Sequence, residues 1–596
     1  MEERKRSVTV AIDFGTTYSG FGFAEANVSG ESGIQVFRGW GRGQGFSFYK
    51  TPTSVLLAPD GNFSKFGHAA VEAYAKNLAK GNNQDIIYFE RFKLVLYNTK
   101  ASGLFTLSRP AHGLMASSGA VVKALDLFSV CLAYLGDKAM ECINASGQRG
   151  KTYESRDVQW VVTVPAIWEP TAKEFMREAA YKAGLASPDD PDQLLIALEP
   201  EAASFYCRTL QMKDFLGETG DESVNEDLAS YVVIDNGGGT LDITVHEIQE
   251  DGTIREIHCP AGGQLGGIHV DREFQSMLVT IFGEDFINKF RRDFPNDWQK
   301  IMNDFEIQKR AEEGVDNEEV SITLPFNFVN AYSRDIGSDE NINERLKMNY
   351  KNNQVQVSNG YLSLSLEVIS GFYEPVVQKT VGVVQSLLEQ IKDANVNTMF
   401  LVGGFSQALP LRKAITQAFP DMRVLTPRDA ELAIIKGAVM FAQAPDLLTT
   451  RVMAKTYGID INETFDPSKH PDEKKTDICG VSYCEDVFDI LVKEDEQVKV
   501  GEKRTFFFSP VHPEQTTASL RFFSTHNKKV QFVTDQGVTA ENVAFQIVSP
   551  DVSKGIHRNI ELDVYFGGTE IKVFATDVTS GSSAKAALRL VTKNLT

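Results

Sequence analysis

A chain of 596 residues with a formal net charge of -20 has material for several packed domains, and its charge argues against general binding to nucleic-acid backbones or anionic membranes. Hydrophobic residues at 42% and charged residues at 23% are the proportions of an ordinary globular protein. The six cysteines are scattered, and the one close pair, Cys479 and Cys484, lacks a matching second pair, so free thiols are expected rather than a zinc knuckle or a disulfide framework. The N-terminal MEERKRSVTVAIDFG passes from charge straight into a strand without an apolar leader, and no stretch reaches the length of a membrane span. The expected location is cytoplasmic.

In chain order, residues 8–25 read as strand, tight turn and strand, with Gly15 at the turn. Thr16, Thr17 and Tyr18 follow with hydroxyls that could reach phosphate oxygens, and Asp13 sits where an acid serving a hydrated metal belongs. Residues 34–66 are β-rich, and a helical pattern runs from Phe66 to Lys80. In YFERFKLVLY, residues 88–97, Arg91 and Lys93 lie beside apolar residues, as solvated cations at a helix end or as cations reaching a cleft. Ser118–Ile143 predicts a helix capped by Ser117 or Ser118, with Val121, Leu125, Phe128, Leu132 and Leu135 on its core face. VQWVVTVPAIW, residues 158–168, is a buried strand stopped by Pro165, followed by a helix. LIALEPEAASFYC, residues 195–207, places Glu199 between an apolar run and a helix start, where an acid is more often a cap than a catalyst. Residues 211–229, rich in acids and turn formers, read as an exposed loop.

The centre of the chain is VIDNGGGTLDITV, residues 233–245. Two apolar strands flank Gly237, Gly238 and Gly239, glycines free to adopt positive φ and turn the hairpin toward an anion. Asp235 and Asp242 bracket that turn, and the likeness to the N-terminal hairpin predicts two related half-domains closing on one phosphate chain. A second glycine turn, QLGG with Gly266 and Gly267, leads into a helix whose N-terminus suits anions. A charged helix with Glu306 and Lys309 one turn apart, a polar insertion over 330–360, a helix over 367–394, a strand–Gly403–Gly404–helix junction and an apolar helix over 429–443 complete this part. From Tyr457 helical periodicity stops, and FDILV, RTFFFS, SLRFFS, VQFVT, AFQIV, IELDVYF and IKVFATDV predict a β-sandwich suited to extended peptide by strand addition, or to a structural role.

The two hairpins, VTVPA, EPEAA, QLGG, EIQKR, LVGGFSQ and the β-tail stand in the order of the seventy-kilodalton heat-shock (chaperone) family, of the actin–hexokinase ATPase superfamily. The chain resembles that family over about residues 8–593, and in detail its divergent member-twelve branch. The resemblance implies a two-lobed α/β actin-like ATPase domain over 1–448, a linker over 449–458 and a β-sandwich over 459–596. It implies ATP or ADP with Mg²⁺, held by Asp13, Gly15, Thr16, Thr17 and Tyr18 in one hairpin and by Asp235, Gly237, Gly238, Gly239, Thr240 and Asp242 in the other. Asp13 and Asp235 would hold the metal through water, with Glu199 near the attacking water. Gly266 and Gly267 would line the ribose–phosphate turn, Glu306, Lys309 and Arg310 the adenosine, and Gly403, Gly404 and Ser406 the opposite wall. Pro165 matches a proline linked to switching between lobes.

Three departures stand out. Phe92 falls where the family has a catalytic lysine, so either Lys93 substitutes from a shifted register or hydrolysis is weak. Arg451-Val452-Met453-Ala454-Lys455 replaces the acidic, leucine-rich linker, and the chain ends at Thr596 without the family's helical lid or acidic tail. The expected function is an ATP-binding, chaperone-like protein with slow Mg²⁺-dependent hydrolysis that binds polypeptide through the sandwich, served by a co-chaperone or nucleotide-exchange factor. The alternative is a nucleotide-regulated scaffold with little turnover.

Overall fold

The computed structural model describes residues 6–578 and 583–587, except 27, 29, 42–46, 81–85, 98–112, 116–120, 147–151, 227, 310–318, 336–342, 344–345, 347–349, 351–353 and 549–550. The strand Val8–Phe14 is buried along its whole length and turns back as Tyr18–Glu25; Val158–Val164 and then Leu194–Leu198 add to it in parallel. A strand covered on both faces reads as a continuous apolar run, which is the pattern of VTVAIDF. A second sheet repeats this order. Ser230–Asn236 turns back as Leu241–Ile248, Thr398–Val402 and Arg423–Leu425 add in parallel, and Ile254–Gly263 extends the other side. The fold is mixed α/β, built on two sheets of like topology.

Helices Ala124–Ser146 and Pro170–Lys182 share a core with the first sheet through Phe128, Leu132, Trp160 and Met176. Helices Ile268–Phe282 and Leu366–Gln390 do the same for the second sheet through Phe274, Val376 and Leu401. A third core lies between the sheets, where helices Glu199–Cys207 and Ala433–Gln443 pack with Ala11, Val161, Val233 and Phe400. These two helices meet backbone to backbone: a Cβ on Gly437 would stand 1.7 Å from the carbonyl oxygen of Ala202. Beside that crossing, Lys436 Nζ donates to Glu31 at 2.8 Å, to the Tyr206 hydroxyl at 2.9 Å and to Asp429 at 2.5 Å.

Two expectations of local structure change. Val121 is not on the long helix; it is exposed in a short strand, Val121–Lys123, paired with Gly113–Met115, and the proposed caps Ser117 and Ser118 lie outside the described residues. Residues 211–229 are not simply an exposed loop, because Met212, Phe215, Val224 and Leu228 are buried and Phe215 stacks on Phe400. Asp221 and Glu222 are exposed while spaced apolar residues pin the segment down, a pattern that mean composition conceals.

From Thr456 the described chain is antiparallel β. One sheet runs Lys475–Ile478, Val481–Val492, Thr456–Thr464, Thr517–Thr525, Thr539–Val548, and the other runs Glu502–Phe508, Ile560–Phe566, Lys572–Asp577, Ser583–Ala587. Ile459, Leu491 and Phe522 of the first share one core with Leu562, Val564 and Val573 of the second. VQFVT, expected as a strand, is a turn holding a single bridge between Phe532 and Val487. Leu448–Val452 lies parallel to Ile254–Gly263 in the sheet of the second lobe, and Gln497–Lys499 pairs beside it. Arg451 anchors that strand by a fork to Glu201, at 2.7 and 2.5 Å, and by a bond to the Gly567 carbonyl at 3.0 Å. Arg177 likewise grips both oxygens of Glu570 at 2.6–2.9 Å. Among the described residues no helix is long and apolar enough to cross a membrane, and all six cysteines are free.

Candidate functional site

The two hairpin turns, one from each sheet, lie against each other. A Cβ on Gly238 would lie 1.7 Å from Thr17 Oγ1, and one on Gly239 would lie 2.8 Å from Thr16 Oγ1. A Cβ on Gly15 would meet the Tyr18 carbonyl at 2.3 Å. The glycines are therefore needed for close approach. None of Gly237, Gly238 and Gly239 takes the positive φ expected of them, and that turn is closed instead by Gly237 N–H on the Thr240 carbonyl at 2.9 Å. Gly266 is equally tight, its Cβ position 2.4 Å from the carbonyl carbon of Gly238. The N–H groups of Gly267 and Ile268, expected to face an anion, donate to the carbonyls of Gly237 and Gly238 at 3.1 and 2.9 Å.

Asp13 and Asp235 hold the same place, next to last in equivalent strands, and Asp235 pairs across its hairpin with Asp242. With Glu199, at the first position of its helix, they make four buried carboxylates. Burial raises Glu199 to about 7 against the pull of Lys93, and raises Asp242 to about 6 against hydrogen bonds from Ile167 N–H and the Thr240 hydroxyl. Asp235 is pushed well above the usual carboxylate range by burial and by the charges of Glu199, Asp242 and Asp13. Its Oδ1 is buried with no hydrogen-bond partner among the described residues, as are Thr17 Oγ1 and both polar side-chain atoms of Asn236.

Two ammonium groups enter this cluster. Lys93, read as a possible solvated cation, is buried; its Nζ is 2.8 Å from Glu199 Oε1 and 5.1 Å from the Trp168 ring centroid. Phe92 turns the other way, into the core against Phe14 and Phe128. The reversal follows from Arg91, whose left-handed backbone (φ 55) starts a 3-10 turn over Phe92–Leu96. Lys50 was missed by the sequence reading: its Nζ is 2.5 Å from Asp13 Oδ2, while the Thr163 hydroxyl donates to Asp13 Oδ1 at 3.2 Å. Both oxygens of Asp13 are thus engaged, unlike those of Asp235.

At the outer end Lys309 lies 2.5 Å from both Glu306 and Asp271, and Arg91 crosses from the first lobe to Asp271 at 2.9 Å. Arg310 lies outside the described residues. Gly403 (φ 84) backs directly onto Asp235, its Cβ position 2.4 Å from Oδ1, while the Cβ side of Gly404 is open. Ser406 does not face the cleft; its hydroxyl donates to the Val402 carbonyl at 2.6 Å. The wall there is aromatic, with Tyr373 stacked on Phe405 and Phe405 beside Gly267. Pro165 precedes the turn whose Ile167 N–H donates to Asp242 at 3.0 Å.

Two relatives align along almost the whole chain. Heat shock 70 kDa protein 12A of Mus musculus is 35% identical over 633 aligned residues, covering 98% of this chain and 92% of that protein. Heat shock 70 kDa protein 12B of Homo sapiens is 34% identical over 635, covering 98% and 91%. The chain belongs to the heat shock 70 kDa protein family, in its 12A/12B branch. A more distant likeness, 24% over 301 residues and half of this chain, is to the chaperone protein HscA homolog of Rickettsia typhi. No protein-family model matches the chain.

Proposed function

We propose that the cleft binds ATP and ADP with Mg²⁺, and that the chain is a chaperone-like protein with slow hydrolysis. Family membership supports an ATP-binding, chaperone-like function. The observation that carries the finer reading is the chemistry of the site: four buried carboxylates face two ammonium groups, beside a turn in which Gly238 and Gly239 leave no room for a side chain. Such an excess of buried negative charge favours a divalent cation. Among the described residues no three acid, His or Cys side chains converge to hold a metal directly, which suits an ion bound through water and phosphate oxygens. Asp235, with its unpartnered Oδ1, is the acid best placed to orient that water. Mg²⁺, when bound, would neutralise charge on the phosphates. Thr16, Thr17 and the Gly237–Gly239 backbone would cradle the phosphates. Glu199, near 7, would accept a proton from water, while Lys93 fixes its position and supplies positive charge. Glu306, Lys309, Gly403 and Gly404 would flank the nucleoside.

In this reading residues 1–448 form the nucleotide-binding domain, 449–458 the linker, and 459–596 a β-sandwich that binds extended polypeptide in the cytoplasm, with a co-chaperone or exchange factor as helper. The experiment is calorimetric ATP binding followed by single-turnover hydrolysis, beside Asp235→Asn. Tight binding and turnover, both weakened at least tenfold in the variant, are expected. Binding without turnover would instead assign a nucleotide-regulated scaffold, and no binding would refute the site.

A further inference from the structure

The ammonium of Lys50 sits deep in the acid cluster, and nothing in the chemistry above uses it. Its side chain packs against Gly20, where an added Cβ would stand 3.0 Å from Lys50 Cγ. It ends on Asp13 at 2.5 Å, with Asp235 and Glu431 the other acids whose charge it feels. With Thr163 on the second oxygen, both oxygens of Asp13 are engaged, whereas its counterpart Asp235 has an oxygen with no hydrogen-bond partner among the described residues and feels Lys50 only at longer range. Two equivalent positions in two like hairpins are therefore supplied differently.

We propose that Lys50 is a built-in counter-cation of the nucleotide site: it neutralises Asp13 as a fixed pair, so that an anionic phosphate chain can lie beside that acid, and leaves the metal-bound water to Asp235. This rests on the cleft being a nucleotide site. A bare Asp13 carboxylate would repel phosphate in a place where water cannot screen it. The pair also makes a sharp statement about variants. Removing the cation alone exposes the repulsion; removing both charges abolishes it.

The test is calorimetric ATP binding with Mg²⁺ to wild type, Lys50→Met, Asp13→Asn and the double variant. Lys50→Met is expected to lose about tenfold or more in affinity, the size of one charge-assisted contact. The double variant is expected to regain at least about threefold over Lys50→Met, because removing Asp13 removes the repulsion that the lost cation exposed, and Asp13→Asn completes the cycle that isolates this coupling. Wild-type affinity in Lys50→Met would overturn the proposal. So would a double variant as weak as Lys50→Met, since Lys50 would then act on the phosphate directly. If Lys50→Met does not fold, Lys50→Arg, which keeps the cation, is compared with Lys50→Gln, which removes it; about tenfold weaker binding by Lys50→Gln is expected, and equal affinities would overturn the proposal. Absence of binding by wild type would overturn the nucleotide reading, and this proposal with it.

Discussion

Replacing Lys93 by methionine tests whether its ammonium sets the charge of Glu199. Folded, Glu199 titrates at about 7, raised by burial and held down by Lys93 2.8 Å away; its ordinary value is 4.5. Between those values the folded chain keeps a proton that the unfolded chain has lost. Stability from this group is thus complete below 4.5 and declines as pH rises toward 7, by about 1.4 kcal/mol per unit and about 3 kcal/mol in all. Above 7 the decline stops, because Glu199 is ionised in both states. Without Lys93 the folded value moves higher and the decline continues. The gap between variant and wild type should be constant near pH 6 and wider by about 2 kcal/mol near pH 8.5. Urea unfolding followed by tryptophan fluorescence measures it, with the Trp168 ring 5.1 Å from Lys93 as a local reporter. An equal gap at both pH values would refute the charge argument and leave Lys93 as packing only.

Two further outcomes follow from contacts described above. Gly238→Ala should force the hairpin turns apart, because its Cβ meets Thr17 Oγ1 at 1.7 Å; calorimetry should show ATP affinity reduced at least tenfold, with partial recovery in Gly238→Ala/Thr17→Gly, and no recovery would place the damage elsewhere. Glu174 is raised to about 9 by burial and by Glu570, so its folded form holds a proton whose stabilisation is full below 4.5 and lost as pH rises through about 9. The contact between helix Pro170–Lys182 and the β-module should therefore loosen on going from pH 7 to 10, seen as a rising radius of gyration in X-ray scattering. Glu174→Gln should flatten that response, and an unchanged response would show that Glu174 is not its source.

Much of the cleft was legible because its signals are local. Apolar strand, acid, glycine and hydroxyl stand together in AIDFG and VIDNGGG, and a hairpin has to bring them together. The reason for the glycines was not legible, since the distance between Gly238 and Thr17 is set by two sheets packing together. Phe92 against Lys93 could not be decided from spacing, because a single left-handed residue, Arg91, determines which side chain enters the cleft. Lys50 carries no motif: it reaches Asp13 from a short connection 37 residues away. The grip of Arg177 on Glu570 joins residues 393 apart, and Gln497–Lys499 leaves the β-tail to pair with Leu448–Val452; neither has a sequence signature. VQFVT shows the converse, a strand-like pentapeptide made into a turn by its surroundings.

The crossing of helices Glu199–Cys207 and Ala433–Gln443 limits how the lobes can move. With the Gly437 Cβ position 1.7 Å from the Ala202 carbonyl oxygen there is no side-chain layer between the two helices here, a contact better suited to pivoting than to sliding. The crossing is then a fulcrum, with Lys436 tethering the short arm through Glu31. Glu199 begins one of the two crossing helices, and the Arg91–Asp271 pair spans the lobes at the outer end of the cleft. A rotation about this crossing would move Glu199, three positions before Ala202 on the same helix, less than residues farther from it.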